Sequence, residues 1–254
     1  MLRVNSPFSA ETTERVLAKG TSMTKPTISS YLRENLARLA RKEEPGPFVT
    51  ISRQYGCDGY ELGDLLVKKL NKREGEGGTP WRLYSKEILK QLAEDSGLTQ
   101  ELVEQERLTK PSILRDFFRG MRHTGIPDGY EIRHKIMLMA RAAAFEGHAI
   151  IVGQGGTAAT ADLANGLSVR IEAPRDWRVT RVSVREKLKK DAASARIEEV
   201  ERARRHLRKF YEQKNPRQPA FNLMIDNSVF NIEQAADLII AAMELRQLIG
   251  KAII

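Results

Sequence analysis

A short polar loop with two glycines, Gly56 and Gly59, stands between an apolar run and a helical pattern. The apolar run, Phe48-Val49-Thr50-Ile51, is typical of a buried parallel strand. The leucines that follow recur with the spacing of one helix face. They are Leu62, Leu65, Leu66 and Leu70. Glycines let a backbone approach phosphates, and a helix N-terminus offers unpaired N–H groups, so this layout predicts a phosphate-binding loop.

The loop departs from the phosphate-loop pattern GxxxxGK[ST]. If Gly59 is the last glycine, Tyr60 stands at the lysine position and Glu61 at the position of the hydroxyl that binds Mg²⁺. Arg53 could replace the lysine, although a surface ion pair is the slightly favoured alternative. Cys57 could have a lowered pKa near a helix N-terminus, but a small filler side chain is favoured. The candidate phosphate-binding residues are Ser52, Arg53, Gly56, Cys57, Asp58, Gly59, Tyr60 and Glu61.

Most of the net charge of +9 lies in one basic segment. Residues 176–217 hold 14 Lys/Arg and 7 Asp/Glu, a local charge of +7. Arg178, Arg181 and Arg185 are spaced so that they share one helix face. Such a surface indicates an anionic partner, either a nucleotide or a nucleic acid. The alternative is a solvated helical hairpin whose glutamates neutralise the arginines.

Strands and helices alternate along the chain and must position these residues. We predict strands at 48–51, 81–84, 149–152, 167–172 and 222–226, and helices at 60–70, 129–146, 157–164, 176–190 and 194–213, with a final helix capped by Asn231 and Gln234. This order predicts an α/β fold with a three-layer parallel sheet flanked by helices. Gly153, Gln154 and Gly155 form a second glycine loop after a strand. Both glycine loops should therefore meet at the edge where the strands end.

Outside this core, residues 1–25 are rich in Ser and Thr and are expected to be disordered. Residues 27–42 have the pattern of an amphipathic helix, which would cover either the domain or a second subunit in a homodimer. Ser85 and Thr99 are predicted to cap two further helices. Residues 111–128 are predicted to form a long loop. The core domain would span residues 46–248, with residues 26–45 as a helical extension.

Composition excludes several classes of protein. The single cysteine rules out an intrachain disulfide and fits a reducing cytoplasm. We find no apolar run of membrane-spanning length and no pattern of an N-terminal signal peptide, so a cytoplasmic protein without a membrane partner is expected. The four histidines show no metal-ligand spacing, and no metal cluster is predicted. The catalytic motifs GxSxG and HExxH are missing from the sequence.

Five ordered blocks resemble one known family, the cytidylate kinase-like proteins, which are relatives of the nucleoside monophosphate kinases. The blocks are ISRQYGCDGYELG, LYSKEILKQLAEDSGLT, AIIVGQGG, RIEAPRDWRVTRV, and EVERARRHLRKFYEQ followed by FNLMIDNS. They extend from about residue 47 to 240. The resemblance implies the P-loop nucleoside triphosphate hydrolase/kinase-like fold. It also implies phosphoryl transfer from ATP, with Mg²⁺, to a nucleoside monophosphate, for which CMP is one candidate.

The resemblance also implies roles for individual residues. Gly56 and Gly59 would hold the donor phosphates. Three arginines of a lid-like segment, residues 175–217, would stabilise the transferring phosphoryl group. They are Arg178, Arg181 and Arg204. The second glycine loop, with Gly153, Gln154 and Gly155, would face the acceptor.

Three departures from the family pattern leave other functions open. Tyr60 replaces an arginine, Asp58 places a carboxylate in the phosphate loop, and Gln154 replaces an arginine that would meet the acceptor phosphate. One alternative is a nucleotide-binding sensor or scaffold that has lost catalysis. A second, less favoured alternative is nucleic-acid binding through the basic helices, which would depend steeply on salt.

Overall fold

The computed structural model describes residues 44–75, 77–85, 130–214 and 221–250. Several predictions fall outside these residues: the disorder of residues 1–25, the helix at 27–42, the helices after Ser85 and Thr99, and the loop at 111–128. Within the described residues, no helix is both long and apolar enough to cross a membrane.

Five strands form a single parallel sheet in the order β2–β3–β1–β4–β5. Their bounds are β1 Phe48–Arg53, β2 Arg82–Tyr84, β3 Ala149–Val152, β4 Gly166–Glu172 and β5 Leu223–Asp226. β1 lies at the centre, and it pairs with β3 from Phe48↔Ala149 to Ile51↔Val152. The predicted parallel sheet is therefore confirmed, and the C-terminal ends of β1 and β3 are neighbours.

The helices connect the strands and cover both faces of the sheet. Their bounds are α1 Gly59–Glu74, α2 Tyr130–Glu146, α3 Gly156–Ala159, α4 Arg175–Glu186, α5 Lys190–Lys214 and α6 Ile232–Leu245. Because successive strand residues point to opposite faces, Val49 and Ile51 pack in one cluster with Leu66 of α1 and Ile239 of α6. Phe48 faces the other way and packs against α2. The predicted three-layer α/β fold is confirmed.

Several predicted boundaries are wrong, among them the start of α5, which lies at Lys190 and not at residue 194. β1 continues through Arg53, so Ser52 and Arg53 belong to the strand because they pair with β4. α1 runs on to Glu74, whereas α3 ends already at Ala159. α4 ends at Glu186, four residues early. The next residue, Lys187, has a left-handed backbone (φ 54°), and its N–H donates to carbonyls of the last turn.

Candidate functional site

The two glycine loops lie side by side at the C-terminal edge of the sheet. The first, residues 54–58, joins β1 to α1, and the second, residues 153–155, joins β3 to α3. The N–H of Gly153 donates to the carbonyl of Ile51 at 2.9 Å. The predicted meeting of the loops is therefore confirmed.

Most N–H groups of the first loop already have acceptors within the protein. Gln54 donates to Ile171, Cys57 to Gln54, and Gly59 to Cys57, all through backbone carbonyls. Asp58 donates to the Asn227 side chain at 3.3 Å. In the described part of the chain, the N–H groups of Gly56, Tyr60 and Glu61 have no such partner. The last two lie in the first turn of α1, where helix geometry leaves N–H groups free.

Arg53 lies between the two glycine loops. A Cβ atom on Gly59 would be 2.9 Å from Arg53 Cδ, and one on Gly153 would be 3.3 Å from Arg53 Cζ. The guanidinium also stacks on the Tyr60 ring, with Cζ 4.5 Å from the ring centroid. Among the described residues it has no hydrogen bond or ion pair, so the surface ion pair favoured from sequence is not found. Glycine at both positions leaves the space that the Arg53 side chain occupies.

Ser52 and Cys57 point away from this space. The Ser52 hydroxyl accepts a hydrogen bond from the buried Arg170, whose Nε binds Glu172. Cys57 is buried in the core, and this burial raises the pKa of its thiol to about 12. The direction contradicts the lowered pKa considered from sequence and agrees with the favoured filler role. Desolvation disfavours the thiolate more than the nearby arginines stabilise it.

Arg178 and Arg181 on α4 both reach the first loop. The buried Arg178 donates from Nε to the Ala173 carbonyl at 2.9 Å and from Nη1 to the Tyr55 carbonyl at 3.2 Å. The half-exposed Arg181 forms an ion pair with the buried carboxylate of Asp58. The carboxylate that Asp58 places in the phosphate loop is therefore neutralised by an arginine of α4.

Arg204 on α5 reaches the same place from the second helix. Its Nη1 donates to the Arg53 carbonyl at 3.0 Å. Burial, followed by the charge of Arg53, lowers the pKa of Arg204. All three predicted arginines thus lie around the first loop, although Arg178 already donates hydrogen bonds to two backbone carbonyls.

The second loop has an unusual backbone. Gly153, Gln154 and Gly155 have φ values of 75°, 55° and 72°, three left-handed residues in succession. Such φ values are uncommon for residues other than glycine, and Gln154 is one of these exceptions. This turn directs the chain from β3 into α3 beside Arg53.

Three residues of the site were given no site role from sequence: Tyr55, Glu186 and Glu201. The Tyr55 hydroxyl donates to Glu186 at 2.6 Å, and its N–H donates to Glu201, also at 2.6 Å. The Tyr55 hydrogen bond is the main cause that lowers the pKa of Glu186. The sequence signal is the basic segment itself, whose acidic residues are also the predicted neutralising partners of a solvated hairpin.

The described residues contain no group of three or more His, Cys, Asp or Glu side chains that could hold a metal ion. Glu61 places an exposed carboxylate in the first turn of α1. An exposed carboxylate is a suitable oxygen ligand for Mg²⁺ that is also held by phosphates.

Comparison with known proteins gives a family and a fold. The model of the cytidylate kinase-like family matches residues 48–229. An uncharacterized protein from Eubacterium ventriosum has a similar structure, with a TM-score of 0.57 and 21% identity over 79% of this chain and 99% of that one. TT1252 from Thermus thermophilus matches 79% of this chain and 98% of its own, at 17% identity and a TM-score of 0.41.

A search of curated protein sequences gave no match. The family match covers well over half of the chain, and the sheet order and the solved structure agree with a kinase-like nucleotide-binding fold. The chain belongs to the cytidylate kinase-like family.

Proposed function

We propose that this protein binds a nucleoside triphosphate at the first glycine loop and transfers its terminal phosphoryl group to a nucleoside monophosphate such as CMP. Phosphoryl transfer needs little covalent chemistry from the protein, and positioning with charge neutralisation supplies most of the catalysis. The family and the layout of the two loops support this proposal.

The position of Arg53 carries the proposal. Its guanidinium has no hydrogen-bonding partner among the described residues, and it lies against Gly59 and Gly153 beside the first turn of α1. The free N–H groups of Tyr60 and Glu61 are in that turn. Arg53 would therefore supply, from the end of β1, the positive charge that the loop lacks at Tyr60. A guanidinium is well suited to phosphate because it can donate two parallel hydrogen bonds.

The other site residues would act around this centre. Arg181 would exchange Asp58 for the phosphates, and Arg204 would add positive charge from α5. Mg²⁺ would be held by the phosphates and by Glu61, and it would neutralise charge that develops on the phosphate oxygens. The loop of Gly153, Gln154 and Gly155 would face the acceptor.

Binding of ADP with Mg²⁺, measured by calorimetry, tests the role of Arg53. Arg53→Ala should weaken binding at least about tenfold, because a charged hydrogen bond to phosphate is lost. Arg53→Lys should restore part of the affinity. Lys68→Ala is the matched control, since Lys68 is an exposed cation on α1 whose one ion-pair partner among the described residues is Asp64. Equal affinity in wild type and Arg53→Ala would contradict this role.

A nucleotide-binding protein without catalysis is the second candidate. Asp58 pairs with Arg181, and internal acceptors occupy most N–H groups of the loop, so phosphate must compete with the protein's own groups. An assay with ATP and a panel of nucleoside monophosphates separates the two candidates. Binding without turnover, in wild type and in Tyr60→Lys, would establish the second one.

A further inference from the structure

Tyr55, the second residue of the first glycine loop, forms hydrogen bonds to both helices of the hairpin, which consists of α4 and α5. Its N–H donates to Glu201 Oε1 on α5 at 2.6 Å. Its carbonyl accepts from Arg178 Nη1 on α4 at 3.2 Å. Its hydroxyl donates to Glu186 Oε1, at the end of α4, at 2.6 Å. The backbone and the side chain of one loop residue thus depend on partners in both helices.

The aromatic ring of Tyr55 belongs to the hairpin's own small core. It packs against Val182 on α4 and against Ala193 and Ile197 on α5, all three of them buried. Two guanidinium groups also lie near the ring, with Cζ atoms 5.5 Å and 5.6 Å from its centroid. They belong to Arg185 and Arg204. The loop residue therefore helps to hold the two helices together.

The neighbours of Tyr55 are also set against α4. Gly56 has φ 98°, and a Cβ atom there would lie 3.0 Å from Arg178 Cβ. Asp58 forms its ion pair with Arg181. The N–H of Gly56, one of the free N–H groups of the loop, is thus oriented by a segment in contact with the hairpin.

We propose that Tyr55 is a positioning residue that couples the hairpin to the phosphate-binding loop. The loop keeps its conformation only while the hairpin is docked, and undocking removes the partners of the Tyr55 N–H, carbonyl and hydroxyl together. A ligand that binds the docked loop must then shift the docking equilibrium towards the docked state, at saturation by the factor by which docking favours the ligand. The ligand part of this inference rests on the proposed function, whereas the coupling itself does not.

Amide hydrogen exchange of the full chain without nucleotide tests the coupling. Tyr55→Phe keeps the ring and removes the hydroxyl, and Glu186→Ala removes its acceptor. Each should raise the exchange rate of α4 and α5 about tenfold. The double variant should add little beyond the loss of the Arg185–Glu186 ion pair, because both changes break the hydrogen bond between Tyr55 and Glu186. Glu186→Gln should raise exchange less than Glu186→Ala, since an amide oxygen can accept the same hydrogen bond while the ion pair with Arg185 is lost.

Asp237→Ala is the matched control. It also removes a carboxylate that accepts a 2.6 Å hydrogen bond, from Lys69, but it lies between α1 and α6. It should leave exchange in the hairpin unchanged. Unchanged hairpin exchange in Tyr55→Phe would overturn the proposal, and so would an equal rise in β5 and α6, which would indicate a general loss of stability.

The same variants separate this inference from the proposed function. If wild type binds ADP with Mg²⁺, Tyr55→Phe should weaken binding about tenfold, and ADP should slow hairpin exchange in wild type. Binding that is unaffected by Tyr55→Phe would refute the effect on phosphate. If wild type binds no ADP, the proposed function fails, while the exchange rates without nucleotide still decide whether Tyr55 couples the hairpin to the loop.

Discussion

At the scale of single residues, the first glycine loop has free donor groups on one side and a buried thiol on the other. Arg53 and the first turn of α1 present positive charge and free N–H groups. Cys57, in the same loop, faces the other way, into the core. Its burial makes the thiolate costly in the folded state, which has consequences for both reactivity and stability.

Cys57 should stabilise the fold only below alkaline pH. Its pKa is raised to about 12 in the folded protein, compared with about 8.5 in an unfolded chain. The unfolded state therefore loses the thiol proton first, and stability is lost as pH rises from about 8.5 towards 12. Between pH 7.5 and 9.5, wild type should lose about 1 kcal/mol more free energy of unfolding than Cys57→Ala. Urea unfolding at the two pH values measures this difference. Equal losses in both proteins would contradict it.

At the scale of elements, the start of α6 shows a structure that local residues determine. The Asn231 side chain accepts from the N–H of Gln234, and the Gln234 side chain accepts from the N–H of Asn231. This reciprocal capping box satisfies two N–H groups that the helix leaves unpaired. α6 then buries Ala235, Ala236 and Ile239 against the sheet.

Loss of the cap should weaken the whole fold, because α6 is part of the main core. Asn231→Ala should lower the free energy of unfolding by about 1 kcal/mol. Asn231→Asp should keep most of the stability, since a carboxylate can accept the same hydrogen bond and suits a helix N-terminus. Chemical denaturation of both variants provides the measurement. If the two variants lost the same stability, the side-chain hydrogen bond would not be the cause.

Features that depend on neighbouring residues in the sequence could be predicted, whereas those that depend on distant residues could not. The capping box and the start of β1 depend on adjacent residues, so cap chemistry and the apolar run predicted them correctly. The position of Tyr55 could not be predicted in the same way. Its partner Glu201 is 146 positions away, and no local pattern links a loop N–H to a distant carboxylate. The sequence pattern places Arg53 in the loop, because the pairing that extends β1 is made with a strand that is distant in the sequence.

At the scale of the whole molecule, the net charge of the chain and the charge next to the first loop have opposite effects on an anion. The chain carries a net charge of +9, and the hairpin accounts for most of it. Two carboxylates, however, lie at the site. Asp58 forms an ion pair with Arg181, and Glu201 accepts a hydrogen bond from the Tyr55 N–H. Net charge would attract any anion to this surface, whereas the local carboxylates would compete with a phosphate for the same donors.

Local and overall charge can be separated by two substitutions that change the net charge equally. Glu201→Gln keeps an oxygen that can accept from the Tyr55 N–H and removes a negative charge at the loop. On the proposed function, it should tighten the binding of ADP with Mg²⁺ roughly fivefold, since one charge at close range is worth about 1 kcal/mol.

Glu74→Gln is the control, because Glu74 is exposed at the far end of α1, about 22 Å from its N-terminus. At 0.1 M salt that distance is about twice the screening length, so its effect should be small. Calorimetry at this salt concentration compares the variants, and equal tightening by both would show that overall charge controls binding.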